Sequence, residues 1–249
     1  MILRTDAVVL RAMRYGETSR IVTLFTRDYG KIAVLARGAR ATKSRFGGAV
    51  QPLACIEAVL STKETRTLQT LRETSYTRRF PTLAADLDRL SAGLRMAELV
   101  NALTEDEEAT PALFDLLVAT LDGLDAPGTH PANALLFFEL RLAALLGFQP
   151  RFTREAVAAL PDDGGVLLLG TGEIVDDGAF DAPRRASRAA LRAFATAARA
   201  DGSVVLPMQI ASPVSVEASN LADAYLRHHV GDAYPTRSAA VRAALDARG

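Results

Sequence analysis

The sequence predicts an α+β protein: a small five-stranded barrel, then a helical domain carrying a short β-hairpin insert. Three observations predict it. The first 76 residues contain five short runs of β-branched and aliphatic residues, the apolar period changes from two to 3.6 after Phe80-Pro81, and charge is divided unevenly along the chain. The formal net charge of zero, from 29 Lys+Arg and 29 Asp+Glu, conceals 15 bases against six acids in residues 1–80 and 14 against 23 thereafter. Such a field steers a polyanion towards the N-terminal part.

Taken in order, Ala7 to Leu10, Ile21 to Thr26, Ile32 to Ala36, Ala54 to Leu60 and Thr67 to Leu71 read as strands. Polar or glycine-bearing breaks separate them at Tyr15-Gly16-Glu17, Asp28-Tyr29-Gly30-Lys31 and a basic loop. Gly30 suits the positive φ of a tight hairpin turn. Five strands in this length fit a small closed barrel, and the OB-fold is its commonest form.

The basic loop is Arg37-Gly38-Ala39-Arg40-Ala41-Thr42-Lys43-Ser44-Arg45-Phe46-Gly47-Gly48, with four cations and no acid. Like charges this close repel one another and hold the segment open. A groove for single-stranded nucleic acid needs cations for phosphates and a ring on which a base can stack. Arg37, Arg40, Lys43 and Arg45 are therefore the candidate phosphate contacts and Phe46 the candidate stacking ring. Arg20 and Lys31 are secondary contacts, able to share a surface with Tyr15 or Tyr29. Two readings stay open, a polyanion contact and a solvated, mobile hairpin.

Beyond Pro81, Leu83, Leu87, Leu90, Leu94, Leu99 and Leu103 mark one long amphipathic helix. Leu113, Leu117, Leu121 and Leu124 mark the next, with Thr110 as its cap and Pro111 at its first position. The acidic run Glu105 to Glu108 between them reads as a solvated loop. A third helix, from Pro131 to about Leu146 and stopped by Gly147, is apolar almost all round and belongs at the centre of a bundle. The expected division is a barrel over 1–80 and a helical domain over 81–249.

Other chemistries find little support. Cys55 is the only cysteine, which excludes a disulfide framework and a thiolate zinc cage and suits a reducing, cytoplasmic setting. The N-terminus does not read as a signal peptide, and the apolar third helix is too short to span a bilayer, so no membrane partner is expected. No G-x-x-x-x-G-K-[ST] loop is present, and Asp162-Asp163 and Asp176-Asp177 lie in turns without a base or metal partner. No catalytic residue and no cofactor is expected. Arg184, Arg185, Arg188 and Arg192 read as a stripe at a helix start, neutralised by Asp176, Asp177 and Asp181 or serving as a second phosphate contact. His228-His229 read as surface histidines.

The ordered series Tyr15-Gly16-Glu17-Thr18-Ser19-Arg20, Leu24-Phe25-Thr26, Ala36-Arg37-Gly38-Ala39-Arg40, Gln51-Pro52-Leu53, Phe138-Glu139-Leu140-Arg141-Leu142, Leu146-Gly147-Phe148-Gln149-Pro150, Tyr225-Leu226-Arg227-His228-His229 and Arg237-Ser238 resembles the RecO family of bacterial recombination mediators. The resemblance spans nearly the whole chain. It implies an N-terminal OB-fold, binding of single- and double-stranded DNA, annealing of complementary strands, and work in the nucleoid. It also implies partnership with RecR and with the C-terminal tail of single-strand-binding protein. Many relatives carry a four-cysteine zinc ribbon after the Leu-Gly-Phe element; residues 151–182 hold no cysteine or histidine, so this region reads as a metal-free remnant. A tail that ends in an apolar residue with a free carboxylate needs an apolar pocket rimmed by a cation, and Arg141 with Phe137 and Phe138 offers one. The alternative is that Arg141 pairs internally. A different class of function also stays open, an interaction scaffold whose basic loop grips an acidic partner tail.

Overall fold

Leu3, Thr5, Ala7 and Val9 alternate through the charged Arg4 and Asp6, and this period of two carries strand β1 over Ile2–Tyr15, well beyond the expected Ala7 to Leu10. The computed structural model describes residues 1–63, 65–177 and 182–235; Asp181 and the Arg237-Ser238 element lie outside the described residues. Two compact units divide within the third helix, at Leu121/Asp122.

In the first unit β1 serves two neighbours. Its start pairs antiparallel with β4 (Cys55–Ser61) and its end with β2 (Ser19–Thr26), with a register shift between Val9 and Arg11. Strand β3 (Gly30–Ala36) continues the meander, and β5 (Gln69–Arg78) joins β4 antiparallel and β3 parallel through Val34↔Gln69 and Leu35↔Thr70. The order β1-β2-β3-β5-β4 closes the barrel, as an OB-fold requires. Val22, Leu24, Val34, Ile56, Leu60 and Leu71 fill it.

The hairpin between β2 and β3 is gripped from outside. Gly30 has φ +66°, and a Cβ there would stand 2.2 Å from the Glu108 carbonyl oxygen. Glu107 N–H donates to the Lys31 carbonyl at 3.0 Å. The Lys31 ammonium donates to the carbonyls of Asn101 and Thr104 at 2.9 and 2.7 Å and lies 3.3 Å from Asp106. The acidic run is thus exposed but docked along the barrel, not a free loop.

The long helix expected after Pro81 is two, α1 (Pro81–Ala85) and α2 (Leu87–Leu103). Asp86 breaks it by taking an extended conformation and capping α2 with a 3.0 Å bond from Arg89 N–H. Helix α3 (Pro111–Asp125) starts as expected, but among the described residues the Thr110 hydroxyl makes no hydrogen bond, and it is the Thr110 carbonyl that receives N–H groups, from Leu113 and Phe114.

The second unit is built on α4 (Pro131–Leu145). Its end is a Schellman turn, with Gly147 at φ +92° and Phe148 N–H donating to the Ala143 carbonyl at 2.8 Å. After α5 (Arg154–Ala159), the region expected to form a hairpin is a three-stranded sheet in the order β7-β6-β8, from β6 (Gly165–Leu168), β7 (Ile174–Val175) and β8 (Pro183–Ala186). Arg184 and Arg185 therefore lie on a strand, and only Arg188 and Arg192 on α6 (Arg188–Arg199), so no four-residue helical stripe exists. Arg185 pairs with Asp177 at 3.1 Å and Arg188 with Asp162 at 2.5 Å. A short α7 (Gly202–Val205) leads to α8 (Ser212–Val230).

On α8, Tyr225 is buried and its hydroxyl donates to the Phe148 carbonyl at 2.9 Å. His229 stacks on the Phe148 ring at 4.6 Å, so of the adjacent histidines only His228 is a surface residue. Burial pushes the Tyr225 phenol up to about 12. The folded chain then holds this proton more tightly than the unfolded one, so stability is intact below the ordinary value of 10.0 and falls as pH rises from there to about 12. Denaturant unfolding across that window should show a flatter decline in Tyr225→Phe, and identical profiles would rule the linkage out.

Candidate nucleic-acid interface

Two anchors and one turn shape the basic loop. Phe46, at 3% exposure, enters the barrel core together with Ala49 and Val50 of a 3-10 turn at Gly47–Val50, plugging one end of the barrel. Ala39 is the second buried anchor. Between them Ala41 N–H donates to the Gly38 carbonyl and Ser44 N–H to the Ala41 carbonyl, giving successive turns that point the long side chains outward. The loop is also pinned to the β1–β2 turn, by Arg40 N–H to the Thr18 carbonyl at 2.8 Å and the Arg40 guanidinium to the Gly16 carbonyl at 3.3 Å.

Arg37, Arg40, Lys43 and Arg45 are all exposed, and among the described residues none forms an ion pair. Arg14 and Arg20 stand directly opposite each other across β1 and β2, a like-charge pairing that costs stability unless an anion relieves it. Arg20 reaches Gln51 at 3.3 Å, while its Nε is buried and, among the described residues, has no hydrogen-bond partner. This face can therefore take several phosphates.

Two candidates from the sequence do not belong to this face. Phe46 is a plug, because the connection between the third and fourth strands must close the barrel end with apolar volume; its ring carries only the Arg45 guanidinium, 4.9 Å from its centroid. Lys31 is half-buried and spends its charge on two carbonyls and Asp106. That end of the β2–β3 face is further covered by α3, through Phe25 against Phe114 at 6.1 Å and the Arg27–Asp115 pair at 3.1 Å.

Sequence reading missed Tyr76, 37% exposed near the end of β5 with the Arg79 guanidinium 4.2 Å from its ring centroid. The 3.6-residue and two-residue periods carry no signal for it. Tyr15, 51% exposed, stands beside the β1–β2 turn to which Arg40 is bonded.

In the second unit Arg141 and Phe137 do meet, with the guanidinium 5.2 Å from the ring centroid. Arg141 also donates to the Ala200 carbonyl at 2.7 Å, closing the C-terminal end of α6. Phe138, at 0% exposure, is core and offers no surface to a partner. Among the described residues, no group of three or more His, Cys, Asp or Glu is placed to hold a metal, and no helix is long and apolar enough to cross a membrane.

The family model for the recombination protein O N terminal matches residues 1–80, and that for the recombination protein O C terminal matches 84–238. A protein named DNA repair protein RecO from Salinibacter ruber is 45% identical over 246 residues, covering 98% of this chain and 95% of its own. Proteins of the same name from Anaeromyxobacter sp. (strain K) and Geobacter sulfurreducens are 36% identical over 252 residues (99% of this chain and 97% of the relative) and 41% over 157 (63% of each). With both parts of the family pattern met in order along one chain, and a relative of nearly equal length sharing close to half its residues, this protein belongs to the RecO family.

Proposed function

We propose that this chain is a DNA repair and recombination mediator that binds single- and double-stranded DNA through its barrel and anneals complementary strands. Working with RecR, it helps load recombinase onto DNA coated by single-strand-binding protein. It acts by binding, not by making or breaking bonds. The observation that carries the reading is the set of four exposed cations, Arg37, Arg40, Lys43 and Arg45, without acidic partners among the described residues, on a loop pinned at both ends. Annealing is limited by repulsion between two phosphate backbones, and cations presented to both strands lower it. Arg141 and Phe137 are the proposed seat for the tail of single-strand-binding protein, since one guanidinium nitrogen is spent on Ala200 and the others can receive a carboxylate.

A salt titration tests the DNA reading. If each of the four cations neutralises one phosphate, replacing all four by Ala should reduce the log–log slope of single-strand affinity against salt by roughly 3, at about 0.7 per contact. An unchanged slope in a folded variant would remove the loop from the DNA interface and favour the scaffold reading, in which it grips an acidic protein tail.

A further inference from the structure

We infer that Tyr76 and Arg79 form the base-stacking platform of the basic face and make it favour single strands over duplex; the inference rests on the DNA-binding reading above. Phe46 cannot serve, being inside the barrel, so a face that takes single strands needs its ring elsewhere. Tyr76 is 37% exposed, and the Arg79 guanidinium lies 4.2 Å from its ring centroid. That is a stacked cation–π contact. Arg79 is exposed and, among the described residues, has no acidic partner, so the outer face of its flat guanidinium is open.

The pair is tied to the basic loop through Gly48. A Cβ at that position would stand 2.8 Å from the Tyr76 hydroxyl oxygen, and Gly48 is not among the glycines with positive φ. A side chain at position 48 would crowd the tyrosine hydroxyl, and glycine leaves that space to the ring. The ring is thereby seated three residues from Arg45, and a strand whose phosphates meet the loop cations has a flat surface for an adjoining base. A nucleobase stacks on the guanidinium as a third layer above Tyr76, while the N–H groups of Arg79 reach its phosphate. A duplex keeps its bases within its own stack and presents phosphates, so the platform adds affinity for single strands alone.

The test uses the full chain and a short oligothymidylate carrying one fluorescent adenine analogue whose emission is quenched on stacking. Tyr76→Leu and Arg79→Lys should each abolish the quenching and weaken single-strand binding roughly five- to hundredfold, leaving duplex affinity unchanged. Tyr76→Phe should retain both properties. Arg79→Lys keeps the charge and changes an exposed residue, so its salt slope should match the parent. Parental quenching and single-strand affinity in Arg79→Lys would overturn the platform. If the parent protein itself shows no salt-dependent DNA binding, the DNA reading fails and the platform with it. A parent that binds with the expected slope but is indifferent to Arg79→Lys eliminates the platform alone.

Discussion

Phe46→Ala should lower the stability of the barrel unit by about 3–5 kcal/mol, the range for removing a buried ring and leaving a cavity behind. The ring is 3% exposed and packs with Ala49 and Val50 across the barrel end, where the rigid strand walls limit how far the hole can collapse. Denaturant unfolding followed by near-ultraviolet circular dichroism reads the loss. Under conditions where the variant is folded, single-strand affinity should equal that of the parent. A large affinity loss at unchanged stability would place the ring on the DNA face after all.

Gly30→Ala should cost about 2–5 kcal/mol through two additive effects. A non-glycine residue at φ +66° is disfavoured by about 1–2 kcal/mol. The new methyl also meets the Glu108 backbone at 2.2 Å, where no flexible side chain can move aside, and overpacking of this kind costs about 1–3 kcal/mol more. The acidic segment has to lift, taking with it the Glu107 bond to Lys31 and the ion pair of Lys31 with Asp106. A melting temperature within a degree or so of the parent would mean that the segment is not docked on the hairpin. Exposure of the Lys31 ammonium to a lysine-specific reagent should rise in parallel.

What could be read from the sequence depended on whether the signal was periodic. Alternation at Ile32, Val34 and Ala36 and at Ile56, Ala58 and Leu60 located the strands, because a closed barrel buries one face of each. The same logic stopped β1 short, because its exposed Arg4 and Asp6 read as interruptions rather than as the solvent half of a longer alternation. The helix break at Asp86 was hidden because Leu83 and Leu87 keep helical spacing across it; only the Asp86 cap separates the two helices. On the proposed binding face the cations stand out in the sequence by charge density. The ring proposed for that face does not: Phe46 shares the loop with the cations but is drawn into the barrel by its apolar area, while Tyr76 is remote in sequence and reaches the loop only through barrel closure. The partners of Lys31, Asn101, Thr104 and Asp106, are about seventy residues away and leave no trace in the local sequence.

The double pairing of β1 also has a consequence for the order in which the barrel assembles. Its second half meets β2 across a tight turn, and β2 meets β3 across another, so this three-stranded meander closes only short loops. Its first half must wait for β4, which pairs Asp6 with Glu57 and Ile2 with Ser61. Closing a loop of that length costs chain entropy before any contact repays it, so sealing of the cylinder is a late event. Until then the meander has two open edges and an uncovered apolar face. The basic loop lies on the chain between the strands of the meander and the two that close it.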